Sequence, residues 1–169
     1  MTGTSPLDVE GLLAALEEAE VRFVVIGGFA VGAHGYPRAT KDLDIVPDPN
    51  PENLTRLAAL IADLDATVLG MEEFDEAEVV QPDAHGLAMG GNFVLATSHG
   101  RLDIMQLVGP DLEYADLDAA AVEDEVFGHR VRFCGFDHLV AMKEAAGRPE
   151  DEIDLQRLRD SRETGSDSS

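Results

Sequence analysis

The sequence predicts an α/β (α+β) fold: a mixed sheet flanked by helices and followed by a short C-terminal helical pair. Three observations carry that expectation. Short β-branched apolar runs such as "RFVVI" (22–26) alternate with stretches of helical period. Glycines and prolines punctuate the boundaries between them. Near the C-terminus, two helical patterns are separated by little more than Gly147 and Pro149.

Each element has its own local reason. Leu7, Leu12, Leu13 and Leu16 approximate a helical period and Asp8 can cap it, so residues 8–20 are expected to be helical. "RFVVI" reads as a buried strand ended by Gly27-Gly28, and "FAVGAHG" as a short helix closed by Gly35. "KDLDIVP" (41–47) is a second strand, stopped by Pro47 and the turn-rich "PDPNP". Pro51 suits a first helical turn, and Leu54, Leu57, Leu60 and Ile61 then form an apolar stripe. "EEFDEAEVVQPDAHGLAMGG" (72–91) is irregular, a helix and a loop. "NFVLATS" and "RLDIMQLVG" are strands joined by a hairpin turn at His99-Gly100. "VEDEVFG" and "HRVRFCG" form a smaller hairpin. "FDHLVAMKEAAG" and "PEDEIDLQRLRD" are the helical pair, with Gly147 ending one and Pro149 starting the other. The expected organisation is one domain over 1–162, with a core at about 8–110, the hairpin and helices at 119–162, and a disordered tail at 163–169.

With 169 residues, 44% of them hydrophobic, the chain can bury a core, and with 5% aromatics and no Trp that core must be aliphatic. One cysteine, Cys134, excludes an intrachain disulfide framework and a cysteine-cluster metal site. The acidic start lacks the pattern of a signal peptide, and no apolar run is long enough to span a bilayer, so a cytoplasmic protein without membrane contact is expected. Thirty-four acids against 12 bases give a net charge of −22, which disfavours nonspecific DNA binding. An RNA substrate would need Arg130, Arg132, Arg148, Arg157 and Arg159 to gather on one face.

The strand "KDLDIVP" holds the residues that call for chemistry. Side chains alternate along a strand, so Asp42 and Asp44 share one face while Leu43 and Ile45 share the other. Two uncompensated carboxylates side by side repel and raise one pKa. A divalent cation removes that penalty, and Mg²⁺ takes hard oxygens from one or two carboxylates plus substrate phosphates. Gly27-Gly28, at a strand end turning into a helix, can present backbone amides to a phosphate. The two devices together suit the triphosphate of a metal nucleotide.

At these residues, "GGFAVGAHGYPRATKDLDI" resembles the signature of nucleotidyltransferases related to DNA polymerase β. Its "HG.PR.T.DLDI" form is similar to the AbiEii-type branch, which includes toxins of toxin–antitoxin pairs. "LVAMKEAAGRPEDEIDLQRL" resembles the Lys-and-Arg helical segment of that group. The two matches cover about 40 residues. The resemblance implies a minimal palm in which Gly27 and Gly28 hold the triphosphate of an NTP such as ATP and Asp42 and Asp44 ligate Mg²⁺. It implies a third carboxylate from a later strand, for which "RLDIMQ" offers Asp103, as base or as ligand of a two-metal site. Lys143, assisted by Arg148, would neutralise phosphate charge, and Arg38 and Thr40 would touch nucleotide or orient Asp42.

Plainer readings stand beside these. Asp103 also fits the exposed side of a hairpin, and Lys143 a surface lysine paired with Glu144 or Glu150. Asp151 and Asp154 suit the dipole of the last helix, and His34 suits a structural role. The leading expectation is transfer of a nucleoside monophosphate from an NTP to an acceptor hydroxyl. The resemblance points to the tRNA 3′ end, with a cognate antitoxin as partner; a small-molecule or protein hydroxyl is the alternative. From another class, the short chain also fits a noncatalytic nucleotide- or partner-binding module.

Overall fold

Asp8 opens the first helix in the computed structural model, which describes residues 5–166. Its carboxylate accepts from the Gly11 amide at 2.9 Å, and α1 (Val9–Glu18) buries Leu12, Leu13 and Leu16. β1 (Phe23–Ile26) leads directly into α2 (Gly27–Ala33), so the glycine pair belongs to the helix and not to a loop before it. β2 (Asp42–Pro47) returns antiparallel to β1. Asn50 caps α3 (Pro51–Asp63) through the Glu52 amide, and Leu54, Leu57, Leu60 and Ile61 are buried as the stripe requires.

The sheet gains β3 (Thr67–Val68), the hairpin β4 (Phe93–Thr97) with β5 (Gly100–Ile104), and the hairpin β6 (Val122–Val126) with β7 (His129–Phe133). Its seven strands lie in the order β3-β4-β5-β2-β1-β7-β6. β2 runs parallel to β5 and β1 parallel to β7, while the other pairs are antiparallel, so the sheet is mixed. The remaining helices are α4 (Ala84–Ala88), α5 (Tyr114–Ala119), α6 (Phe136–Ala146) and α7 (Pro149–Ser166). Leu43, Ile45, Leu102 and Ile104, from the two central strands, join the leucines of α1 and α3 in one aliphatic core. Burying each of those side chains contributes about 2 kcal/mol relative to exposure. The opposite face of the same two strands is left for polar side chains.

Three details differ from expectation. The β4–β5 turn is Ser98-His99, because Gly100 already pairs with Thr97 in the ladder. Gly100 takes φ +98°, and a Cβ there would approach Leu7 Cα to 2.6 Å. β3 and α5, at two and six residues, are too short to leave a periodic signal. α7 continues to Ser166, so residues 163–166 of the expected tail are helical; 167–169 lie outside the described residues. Between 72 and 91 the chain forms a 3₁₀ turn at Glu76–Glu78 and then α4. Among the described residues no helix is long and apolar enough to cross a membrane.

Asn53 locks the ends of β1 and β2 to α3. It is fully buried, accepts from the Arg22 amide at 2.7 Å, and donates to the Arg22 and Asp48 carbonyls at 2.9 Å each. Asn53→Ala would leave backbone groups without partners inside the protein. A loss of about 3 kcal/mol in urea unfolding is expected; a loss below about 1 kcal/mol would show that the groups are satisfied some other way.

Candidate active site

The parallel pairing of β2 with β5 builds the site. In that register Asp42 lies opposite Arg101 and Asp44 opposite Asp103, while Leu43 and Leu102 turn into the core. Alternation therefore puts three carboxylates on one face. Each of Asp42, Asp44 and Asp103 offers an oxygen within 4.8 Å of the others'. Hard oxygen donors at that spacing fit a single cation of Mg²⁺ type, which would supply charge neutralisation and Lewis acidity there. The side chain of Asp103 is only 7% exposed, so it is not the solvated face of a hairpin.

Above this cluster the chain passes from β1 into α2. Gly27 takes φ +72°, and a Cβ on it would strike the Asp44 carboxylate. A Cβ on Gly28 would meet Thr40 Cγ2 at 2.6 Å. The glycines are thus required first by the carboxylate and the threonine beneath them, a packing demand beyond the phosphate access expected from sequence. The N-cap of α2, Ile26, gives no side-chain hydrogen bond. Thr40 Oγ1 donates to the Asp42 carbonyl at 3.1 Å, steadying the start of β2 through its backbone.

These residues line one cavity of about 710 Å³, together with Arg38, Lys143 and Arg148. Every sequence-predicted site residue is therefore brought together. The cations, however, are engaged with carboxylates. Lys143 is 5% exposed and its Nζ lies 3.2 Å from Asp151 and 2.9 Å from Asp154, both buried. Arg38 holds Asp154 at 3.1 Å, and Arg148 holds Asp151 at 2.8 Å and Glu150 at 3.3 Å. Neither Glu144 nor Glu150 pairs with Lys143, and Asp151 and Asp154 are its buried counterions more than dipole partners. Asp151 also accepts from the Arg148 amide at 3.1 Å, closing the first turn of α7. The network joins the segment before β2 to the C-terminal pair. His34 Nε2 adds a 2.8 Å contact to the Cys134 carbonyl, the structural role its position suggested.

Two cavity residues escaped the sequence reading. Arg101 grips both oxygens of Asp103 at 3.0 and 2.9 Å, and its signal was its i,i+2 spacing from Asp103 on a strand. Lys41 lines the cavity beside Asp42 and pairs with no carboxylate among the described residues. The arginines named for an RNA face lie on different elements. Arg130 and Arg132 sit on β7, with Arg132 on Asp118 and Glu123. Arg159 pairs with Glu144, and Arg157 stacks on Tyr36.

A seven-stranded mixed sheet whose central parallel pair gathers three carboxylates below a glycine turn is the nucleotidyltransferase fold. Solved structures agree. The lincosamide antibiotic adenylyltransferase LnuA in its lincomycin-bound form superposes with a TM-score of 0.61 at 14% identity, over 92% of this chain and 98% of that one. The complex of ANT(2'')-Ia with adenylyl-2''-tobramycin gives 0.58 at 18% identity, over 90% and 86%. A nucleotidyltransferase-class protein from Thermotoga maritima gives 0.56 at 16%, over 90% of each chain. At these identities the likeness is one of fold. No family model matches the chain, and no curated protein matches it by sequence.

Crowding perturbs the acids. Burial first, then the charges of Asp42 and Asp103, push Asp44 from 3.8 up to about 8. Asp42 is raised too, by burial and then by Asp103, with Arg101 opposing. Asp151 goes the other way: hydrogen bonds from Arg148 and Lys143 outweigh its burial and hold it low. An acid held above its unfolded value takes up a proton on folding, so the stability it gives is present below about 4 and is lost as pH rises towards about 8. In metal-free protein between about pH 6 and 8, unfolding midpoints should fall with rising pH, and Asp44→Asn should remove that part of the slope. An identical slope in the variant would contradict the assignment.

Proposed function

We propose that the protein is a divalent-cation-dependent nucleotidyltransferase that moves a nucleoside monophosphate from an NTP to an acceptor hydroxyl. The observation that carries this reading is the convergence of Asp42, Asp44 and Asp103 within 4.8 Å beneath Gly27. In this reading Asp42, Asp44 and Asp103 would hold Mg²⁺, which would supply charge neutralisation for the triphosphate, and Asp103 receives the proton of the acceptor hydroxyl. The acceptor oxygen attacks the α-phosphorus, the bond to the bridging oxygen of the β-phosphate breaks, and pyrophosphate leaves. Gly27 and Gly28 keep the first turn of α2 open to the phosphates. Lys143, Arg38 and Arg148 line the cavity paired to Asp151, Asp154 and Glu150, and Lys41, which pairs with no carboxylate among the described residues, offers the phosphates an unshared positive charge.

A small-molecule hydroxyl is the acceptor this cavity supports best. The volume of about 710 Å³ suits a nucleotide with a compact partner. The arginines that a nucleic acid would need are divided between β7 and the C-terminal helices, and Arg132, Arg148 and Arg159 are neutralised by acids. LnuA, over almost all of whose length this chain aligns, is a lincomycin-bound adenylyltransferase, so a chain of this extent has room for an acceptor. The "HG.PR.T.DLDI" resemblance to the AbiEii-type branch carries the second reading, transfer to the 3′ end of tRNA with an antitoxin partner.

Incubation with each labelled NTP, Mg²⁺ and a cellular extract should label a product, and Asp44→Ala should reduce labelling by at least about 100-fold. Undiminished label in the variant sinks the reading, and NTP binding without turnover favours a sensor. A labelled small-molecule fraction supports the first acceptor. A labelled tRNA fraction, with affinity falling steeply as salt rises, supports the second.

A further inference from the structure

The cations of the cavity divide by the carboxylates they hold. Arg38, Lys143 and Arg148 sit on Asp151 or Asp154, acids of α7 that lie outside the metal triad. Arg101 is the cation that, among the described residues, holds the triad itself. Its Nε and Nη2 donate to the two oxygens of Asp103 at 3.0 and 2.9 Å, and Nη2 lies 3.4 Å from Asp42 Oδ2. The strand register enforces this: Arg101 faces Asp42 and Asp103 faces Asp44, so four side chains form a square on one face of the sheet.

A guanidinium and a divalent cation compete for that square. The Asp103 oxygens that a cation needs are the ones the guanidinium fork occupies. Two positive centres within a few ångströms repel strongly where water is partly excluded. Arg101 keeps 39% of its side chain exposed, so it has a path out of the square along the cavity wall. A triphosphate is the incoming group whose oxygens match the fork in charge and geometry.

We propose that Arg101 is a phosphate-binding residue that offsets part of the acid triad's charge before metal arrives and passes to the triphosphate when the metal nucleotide enters. This inference rests on the metal–nucleotide reading of the site. Metal alone must displace Arg101 without compensation, whereas metal with triphosphate gives it a new partner. The two ligands therefore bind with positive coupling, and the coupling runs through one side chain.

Calorimetric titration of the full chain with Mn²⁺ alone and with Mn²⁺–tripolyphosphate tests this in wild type, Arg101→Gln and Arg101→Lys. Arg101→Gln should bind Mn²⁺ alone about tenfold more tightly than wild type and lose the advantage that tripolyphosphate confers. Arg101→Lys keeps the charge but cannot span both Asp103 oxygens, so it should fall between the two in both titrations. Arg101→Lys indistinguishable from wild type would reduce the effect to net charge and overturn the proposal. So would Arg101→Gln binding Mn²⁺ no more tightly than wild type. Equal Mn²⁺ binding by all three overturns this inference alone, whereas no Mn²⁺ binding by any of them removes the metal reading as well.

Discussion

The rest of the structure depends on the parallel register of β2 with β5. A shift of β2 by one residue would turn Asp42 and Asp44 towards the aliphatic core and expose Leu43 and Ile45, parting them from Asp103 on β5. Burial of the apolar face thus fixes the position of the acidic one. The same alternation that lets Leu43, Ile45, Leu102 and Ile104 pack with α1 and α3 leaves three carboxylates together on the other side. Hydrophobic packing on one face holds repelling charges in place on the other.

That arrangement must be compensated from outside the two strands. Gly27, with its positive φ and its lack of a Cβ, lets the start of α2 lie against Asp44. Arg101 answers part of the charge from within the sheet. The C-terminal pair answers the rest of the cavity's electrostatics through a separate network, in which buried Lys143 is shared by Asp151 and Asp154 and these in turn hold Arg148 and Arg38. A buried lysine with two near-fully buried acids is stable only because every member is paired. Breaking one partner would strand the others, so α6 and α7 are anchored to the site as a unit. The cavity floor is acidic, and its far wall sets three cations against Asp151, Asp154 and Glu150.

The strong negative charge of the chain has a local counterpart. Of the 12 basic residues, Arg38, Arg101, Lys143 and Arg148 line the cavity in ion pairs, and Lys41 lines it with no carboxylate partner among the described residues. These five meet Asp42, Asp44, Asp103, Glu150 and Asp151 in the cavity, while the excess of acids over the rest of the chain keeps polyanions at a distance. The resemblance of the "HG.PR.T.DLDI" stretch and the distribution of arginines thus pull towards different acceptors, a tension between local sequence and global electrostatics.

Much was legible from sequence because it rested on local rules. Asp8, Pro51, and Gly147 with Pro149 mark helix ends that the structure places as expected, since capping and backbone preference act over a few residues. The shared face of Asp42 and Asp44 followed from strand alternation alone. What lay beyond reach depended on which segments become neighbours. Arg101 is two residues from Asp103 in sequence, but its contact with Asp42 exists only once β2 and β5 pair. The counterions of Lys143 come from the following helix across a turn, and Arg38 meets Asp154 over more than a hundred residues. The sequence by itself determined the longer elements, the glycine turn and the carboxylate types, because these follow from backbone preference and side-chain period. Only the tertiary structure decided which cation holds which acid, because ion pairing depends on distances that chain folding sets and sequence spacing does not.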